Sequence, residues 1–210
     1  MTIKRFSPLD DLLNEVEYAV ECIYNKNNIA KISEDNITEL NKNELKISEK
    51  VMRVNHMGEI CAQGLYRGQA AHTKNQDIKE KLYAISLEEN EHLKLCNLRL
   101  RELNAKQSIL NPVWYISSYM LGSIAASKDS DWGLGFIEET EKQVKEHLEE
   151  SINQLPERDV RSKEFLHKIA KDEEKHRKTV INIGSNEVPE TFKKFMNISS
   201  KIMKKLTSLI

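Results

Sequence analysis

The sequence predicts an all-α protein organised around a four-helix bundle, and three observations carry that prediction. Charged residues make up 31% of the 210-residue chain, aromatics 6%, and there are only seven Gly and four Pro, so helix formers dominate and turn punctuation is scarce. Apolar residues recur at helical spacing through four long stretches. A helix with one Glu on its apolar stripe precedes a helix with a Glu-x-x-His pair, and this order occurs twice. The repetition suggests two helical hairpins, within a length that supports one well-packed domain.

Each element has its own sequence signal. Leu9 to Tyr24 reads as a short amphipathic helix, followed by an Asn/Lys-rich connector from Asn25 to Asn43 that is poor in large apolar residues. Residues 1–43 are therefore expected to lie outside the main domain, which is expected to span 44–210. Its first helix runs from about Glu44 to Asn75 and its second from about Asp77 to Asn104. A charge-free segment, Gln107 to Ser127, comes next and is interrupted at Asn111-Pro112, where continuous helix is disfavoured. The third main helix starts near Ser130 or Asp131, either of which can cap it, and ends before Pro156. The fourth covers about Arg158 to Ile183, with Gly184 as its stop. A last helix follows Pro189.

Several function classes are disfavoured at once. A formal net charge of −1 and the lack of a basic recognition motif give no pull toward nucleic acid. Cys22, Cys61 and Cys96 are odd in number and lack CxxC spacing, so they read as buried thiols in a reducing compartment. Met1 to Leu13 has no apolar core of signal-peptide length, so the chain is expected in the cytoplasm or on that side of a membrane.

The informative residues are acids where acids should not be. With 25 Glu and six His in 210 residues, fewer than one Glu-x-x-His is expected by chance, yet three occur. Leu166, Ile169 and Val180 lie within about 40° of Glu173 on a helical wheel, which puts Glu173/His176 on the apolar side. Glu164/His167 shares its side with Lys168, Lys171, Lys175 and Lys178, and is a solvated face. Leu82, Ile85, Cys96 and Leu100 flank Glu89, with His92 one position round. Glu141 interrupts a continuous seam of Leu134, Ile137, Val144, Leu148, Ile152 and Leu155. Glu59 shares its side with Met52, Ala62, Tyr66, Ala70 and Asn55, a less sharply apolar set.

A charged, unpaired carboxylate in a core costs roughly several kcal/mol. Two divalent cations would balance four carboxylates and remove that cost. Two helices giving one Glu each and two giving Glu-x-x-His is the ferritin-like dinuclear pattern. The expected ligands are Glu59, Glu89, His92, Glu141, Glu173 and His176, with the first three on one ion and the last three on the other. Which carboxylates bridge is not legible in the sequence. Oxygen and imidazole donors suit Fe or Mn better than Zn. His147 lies about 120° from Glu141 and is not expected to be a ligand. His56 is read as structural, Tyr66 as packing, and Gly64 and Gly68 as sites of close helix approach.

The run Arg53-Val54-Asn55-His56-Met57-Gly58-Glu59, with Tyr66 and Gly68-Gln69 beyond it, resembles the signature of the demethoxyubiquinone hydroxylase family. Glu88-Glu89-Asn90-Glu91-His92-Leu93 and Asp172-Glu173-Glu174-Lys175-His176 resemble it too, as does the lone Glu141 six residues before His147. The resemblance covers roughly Ser48 to Ile210. Many members carry Asp where this chain has Asn55, and some carry Tyr where it has Leu148; neither position is a ligand. What the resemblance implies is a di-iron monooxygenase with two Fe per chain and O2 as co-substrate. It would hydroxylate the ring of a polyprenylated 3-demethoxyubiquinol, late in ubiquinone biosynthesis. Electrons would come from the quinol or from NADH, although the chain carries no dinucleotide fingerprint.

Two segments fit a substrate held in lipid. In 189–210, Phe192, Phe195, Met196, Ile202, Met203 and Leu206 alternate with Lys193, Lys194, Lys201, Lys204 and Lys205, as in a basic interfacial helix. In 107–127, Trp114, Tyr115 and Tyr119 are expected as interface anchors, while Asn111, Pro112 and the four serines from Ser117 to Ser127 argue against a span. The expected location is peripheral, on the cytoplasmic face of the inner cell membrane, alone or in a homo-oligomer or biosynthetic complex. The alternative is a ferritin-like iron-storage or ferroxidase protein, which has no need of either segment.

Overall fold

The structure is a computed structural model, and it describes residues 8–24, 40–128, 130–183, 185 and 187–209. The described residues form seven helices: α1 (Pro8–Tyr24), α2 (Lys42–His72), α3 (Gln76–Glu102), α4 (Asn111–Lys128), α5 (Ser130–Gln154), α6 (Val160–Ile183) and α7 (Glu190–Thr207). Most of the connector and the stop at Gly184 lie outside the described residues.

Helix ends follow from local hydrogen bonding. Asn41 and Glu44 form a capping box at the start of α2: Asn41 Oδ1 accepts from the Glu44 amide at 3.0 Å, and Glu44 Oε2 accepts from the Asn41 amide at 2.8 Å. Asn75 caps α3 through its side chain alone, accepting from the Asp77 amide at 3.0 Å. The far end of α3 closes with Asn104 in the left-handed region, at φ 55. The Ala105 amide donates to Leu100 O at 2.8 Å and the Asn104 amide to Arg101 O at 3.0 Å, satisfying two terminal carbonyls. Asp159 caps α6 through the Ser162 amide. It also accepts from the buried Arg99 at 2.8 Å, locking the end of α3 to the start of α6.

Helices α2 with α3, and α5 with α6, pack as two hairpins that face each other. The bundle core has two apolar clusters. Val51, Met52, Cys96, Leu100, Leu148, Leu166 and Ile169 belong to one, and Tyr66, Leu82, Ile85, Leu134, Ile137 and Val180 to the other. On every helix the expected ligand falls between the segments that feed these clusters. The polar layer is thus sandwiched between apolar layers that keep water out.

Helix α4 differs from its expectation. The Asn111-Pro112 pair does not break a helix but begins one, since Pro in the first turn removes only an amide that has no intrahelical partner. The helix then lies against α2 at backbone contact. A Cβ on Gly68 would sit 2.1 Å from Tyr119 O, one on Gly122 2.2 Å from Leu65 O, and one on Gly64 2.5 Å from Tyr115 O. The expected anchor Tyr115 is buried in a cluster with Cys22, Ile23, Ile60 and Leu93, so it is a core residue rather than an interface one. Tyr119 is half-buried, edge-on to His72. Trp114 donates its indole N–H to Thr207 Oγ1 at 3.0 Å and ties α4 to α7. What α4 leaves outward is Val113, Ile116, Met120 and Ile124. Among the described residues, no helix is long and apolar enough to cross a membrane.

Candidate metal centre

Four helices deliver six ligand-type side chains to one layer. Glu59 comes from α2, Glu89 and His92 from adjacent turns of α3, Glu141 from α5, and Glu173 and His176 from α6; all six are at most 4% exposed. The i,i+3 spacing places each Glu and its His on one side of one helical turn. Donor atoms form two overlapping groups, each with its atoms within 4.8 Å of one another: Glu59, Glu89, His92 and Glu173, and Glu89, Glu141, Glu173 and His176. Glu89 and Glu173 belong to both, which the sequence left open. His92 Nδ1 stands 2.9 Å from Glu89 Oε2, 3.6 Å from Glu173 Oε1 and 3.9 Å from Glu59 Oε2. His176 Nδ1 stands 2.8 Å from Glu89 Oε1 and 3.6 Å from Glu173 Oε2.

Two acids absent from the expected set orient the imidazoles from behind. Glu88 Oε2 lies 3.0 Å from His176 Nε2, and Asp172 Oδ2 lies 3.5 Å from His92 Nε2. Each is the residue just before a Glu-x-x-His pair, but it serves the histidine of the opposite pair. A carboxylate accepting the Nε2 proton leaves the Nδ1 lone pair directed inward. The only sequence signal for this role was the recurrence of an acid at that position in both pairs.

The donor set fits a metal better than it fits itself. Glu89 Oε1, Glu141 Oε1 and His176 Nδ1 are buried without a hydrogen-bond partner. Glu89 Oε1 and His176 Nδ1 are 2.8 Å apart yet not aligned to share a proton, as expected of two donors aimed at a common third point. Counted on protein charges alone, protons must do what a cation would. Burial, then the charges of Glu89 and Glu173, hold the Glu59 carboxyl well above the usual range, and burial with Glu173 does the same to Glu141. For Glu89, burial acts upward but the close imidazoles of His176 and His92 outweigh it, bringing it to about 2. For His176, burial acts downward, but the carboxylates of Glu173 and Glu89 close to its ring, with Glu88 behind it, raise it to about 11. Such a layer has the electrostatics that let a cluster take up a cation in place of protons.

A cavity reaches Glu59. Its mouth is open, and its wall draws on α2, α4, α5 and α7. Met57, Ala62 and Leu65 of α2, Phe136 and Val144 of α5, and Phe192, Phe195 and Met203 of α7 make most of the wall apolar.

The remaining candidates fall as follows. Glu164 and His167 are exposed. Tyr66 packs in the core. His56 is fully buried, 3.5 Å through Nδ1 from Asn111 Nδ2; burial lowers its pKa to about 4, so it joins α2 to the start of α4 as a neutral ring. His147 lines the cavity. Lys204, expected among the headgroup-facing lysines, instead turns to His147. That corrects its reading: on α7 it lies opposite the exposed apolar stripe. The three cysteines are free thiols, Cys22 and Cys96 buried and Cys61 half-buried.

The chain is similar to several known proteins. Residues 46–207 match the family described as Ubiquinone biosynthesis protein COQ7. The curated protein "3-demethoxyubiquinol 3-hydroxylase" of Acinetobacter baylyi is 38% identical over 213 residues, covering 99% of this chain and 100% of that one. The protein of the same name from Xanthomonas campestris pv. campestris is 39% identical over 203 residues, covering 94% and 93%. Among solved structures the chain is similar to KatB, a manganese catalase from Anabaena, with TM-score 0.53 and 17% identity over 79% of this chain and 88% of that one. That likeness bears on the ferritin-like fold alone. On the family match and on relatives that align along nearly its whole length, the chain belongs to the COQ7 family of ubiquinone biosynthesis proteins.

Proposed function

We propose that the protein is a di-iron monooxygenase that hydroxylates the ring of a polyprenylated 3-demethoxyubiquinol with O2. The observation that carries this reading is the meeting of a six-ligand, water-excluded acid/imidazole layer with an apolar cavity at Glu59. The relatives' names supply the substrate. A storage protein needs the ligands but has no use for an apolar cavity that ends on them.

Glu59 and His92 would hold one iron, Glu141 and His176 the other, with Glu89 and Glu173 shared between them. When bound, two ferrous ions supply the electrons and open positions that activate O2 for insertion into a ring C–H. The chain's own residues do the rest. Glu88 and Asp172 hold the imidazoles in the ligating tautomer. The apolar clusters on either side keep bulk water from the layer. The cavity walls admit a ring and the start of an isoprenoid tail while excluding polar competitors.

The same reading places the protein on a membrane surface, on the cytoplasmic face of the inner cell membrane. Supporting it are the outward Val113, Ile116, Met120 and Ile124 of α4 and Phe195, Ile198 and Ile202 of α7. Lys194, Lys201 and Lys205 are exposed on α7. The hydrogen bond between Trp114 and Thr207 holds the two helices together. The test is the quinone profile of cells lacking the protein. Accumulated demethoxyquinone is the expected result, and normal ubiquinone would overturn the reading.

A further inference from the structure

The apolar cavity has a polar side that the metal layer does not use. Gln143 and His147 sit one turn apart on α5, Ser200 and Lys204 one turn apart on α7, and all four line the cavity that also reaches Glu59. Lys204 Nζ lies 3.3 Å from His147 Nδ1. An ammonium only donates, so Nδ1 accepts and the ring proton sits on Nε2, which faces Ser151 Oγ at 3.5 Å. Ser151 Oγ in turn accepts from Asn55 Nδ2 at 3.1 Å, and Asn55 is anchored on Val51 O at 2.8 Å. A chain of hydrogen bonds therefore runs from α2 through α5 to one ammonium at the cavity wall.

We propose that Lys204, steered by His147, donates a hydrogen bond to one ring oxygen of the quinol and so fixes which ring edge turns toward Glu59. This assignment rests on the quinol hydroxylase reading above. His147 takes one of the three N–H groups of the ammonium, which leaves donors for a ligand in the cavity. Burial lowers the pKa of both groups, with Lys204 adding to the effect on His147, which reaches about 4. His147 therefore stays a neutral acceptor and does not repel its neighbour. An apolar pocket that must orient a flat, nearly symmetric ring needs a small number of placed polar groups. In such surroundings a donor that carries charge discriminates more than a neutral one.

The test uses the iron-loaded, full-length protein and a demethoxyquinol carrying a single isoprene unit. Two analogues, each with one ring hydroxyl replaced by hydrogen, serve as controls. Wild type is expected to bind the quinol about tenfold or more tightly than one of the two analogues, the size of a hydrogen bond to a charged group. In Lys204→Gln that difference disappears: quinol binding weakens about tenfold and binding of that analogue does not change. Lys204→Arg restores part of the preference. Equal weakening for all three ligands, meaning that α7 has merely shifted, overturns the proposal, and so does unchanged quinol binding. If wild type neither binds nor hydroxylates the quinol, it is the functional reading that fails.

Discussion

Two glycines of α2 should respond to the same substitution with opposite signs. Gly58 and Gly68 both lie inside the helix, so alanine at either one gains roughly 1 kcal/mol of helix propensity. An added Cβ at Gly58 meets nothing within 4 Å, and that gain should appear in full. At Gly68 the Cβ would lie 2.1 Å from Tyr119 O and 2.8 Å from Tyr119 C, both backbone atoms of α4 that no rotamer change can move. Helix α4 must then retreat by about 1 Å, at an overpacking cost of roughly 1–3 kcal/mol. Gly58→Ala is expected to stabilise by about 1 kcal/mol, and Gly68→Ala to destabilise by up to about 2 kcal/mol net. For a chain of this size each kcal/mol moves Tm by about 2–4 °C. Thermal unfolding of the metal-loaded proteins, followed by far-ultraviolet circular dichroism, reads both shifts. A Gly68→Ala variant as stable as Gly58→Ala would refute the close α2–α4 contact. Because Ser118 and Leu121 of α4 line the cavity, the displaced helix should also slow turnover.

Other expectations follow from the site and the surface. Glu173→Ala should lose both irons from the roughly two per chain expected of the fold, because Glu173 serves both donor groups, whereas Glu141→Ala should retain about one; equal iron content in the two variants by metal analysis would reject the sharing. Metal-stripped protein should lose stability as pH rises from about 6.5 to about 11. In that window His176, raised to about 11, holds a proton that the unfolded chain releases near its ordinary value of 6.5, and the raised Glu59 and Glu141 act in the same direction. Metal-loaded protein should lack this slope, and thermal scans across pH will show whether it does. Replacing Lys194, Lys201 and Lys205 by Glu should weaken sedimentation with anionic vesicles by roughly 1 kcal/mol or more per site, while neutral vesicles show no comparable loss.

Helical periodicity alone was enough to place Glu141 in the core, because an acid within an unbroken apolar seam is buried along with its neighbours. The same wheel set Glu164/His167 outside, where the structure has it. Periodicity places a residue on its own helix but says nothing about what faces it. It therefore cannot give the cross-helix roles of Glu88 and Asp172, signalled only by an acid recurring before both pairs, or the sharing of Glu89 and Glu173. Segment 107–127 misled for a related reason. A charge-free stretch looks the same whether lipid or another helix covers it, and only the three glycine contacts show that half of α4 is core. Lys204 was grouped with its lysine neighbours because composition ignores direction; on α7 it turns inward, toward His147.

The central claim, oxygen insertion into a quinol ring at a metal layer beside the cavity, is tested most directly with isotopic oxygen. Iron-loaded protein is given a short-chain demethoxyquinol under labelled O2, and the product is weighed by mass spectrometry. The account predicts one labelled oxygen atom on each hydroxylated ring, with no product from Glu173→Ala. A ring oxygen that comes from water, or iron-loaded protein that consumes O2 and leaves the quinol ring unchanged, would contradict it.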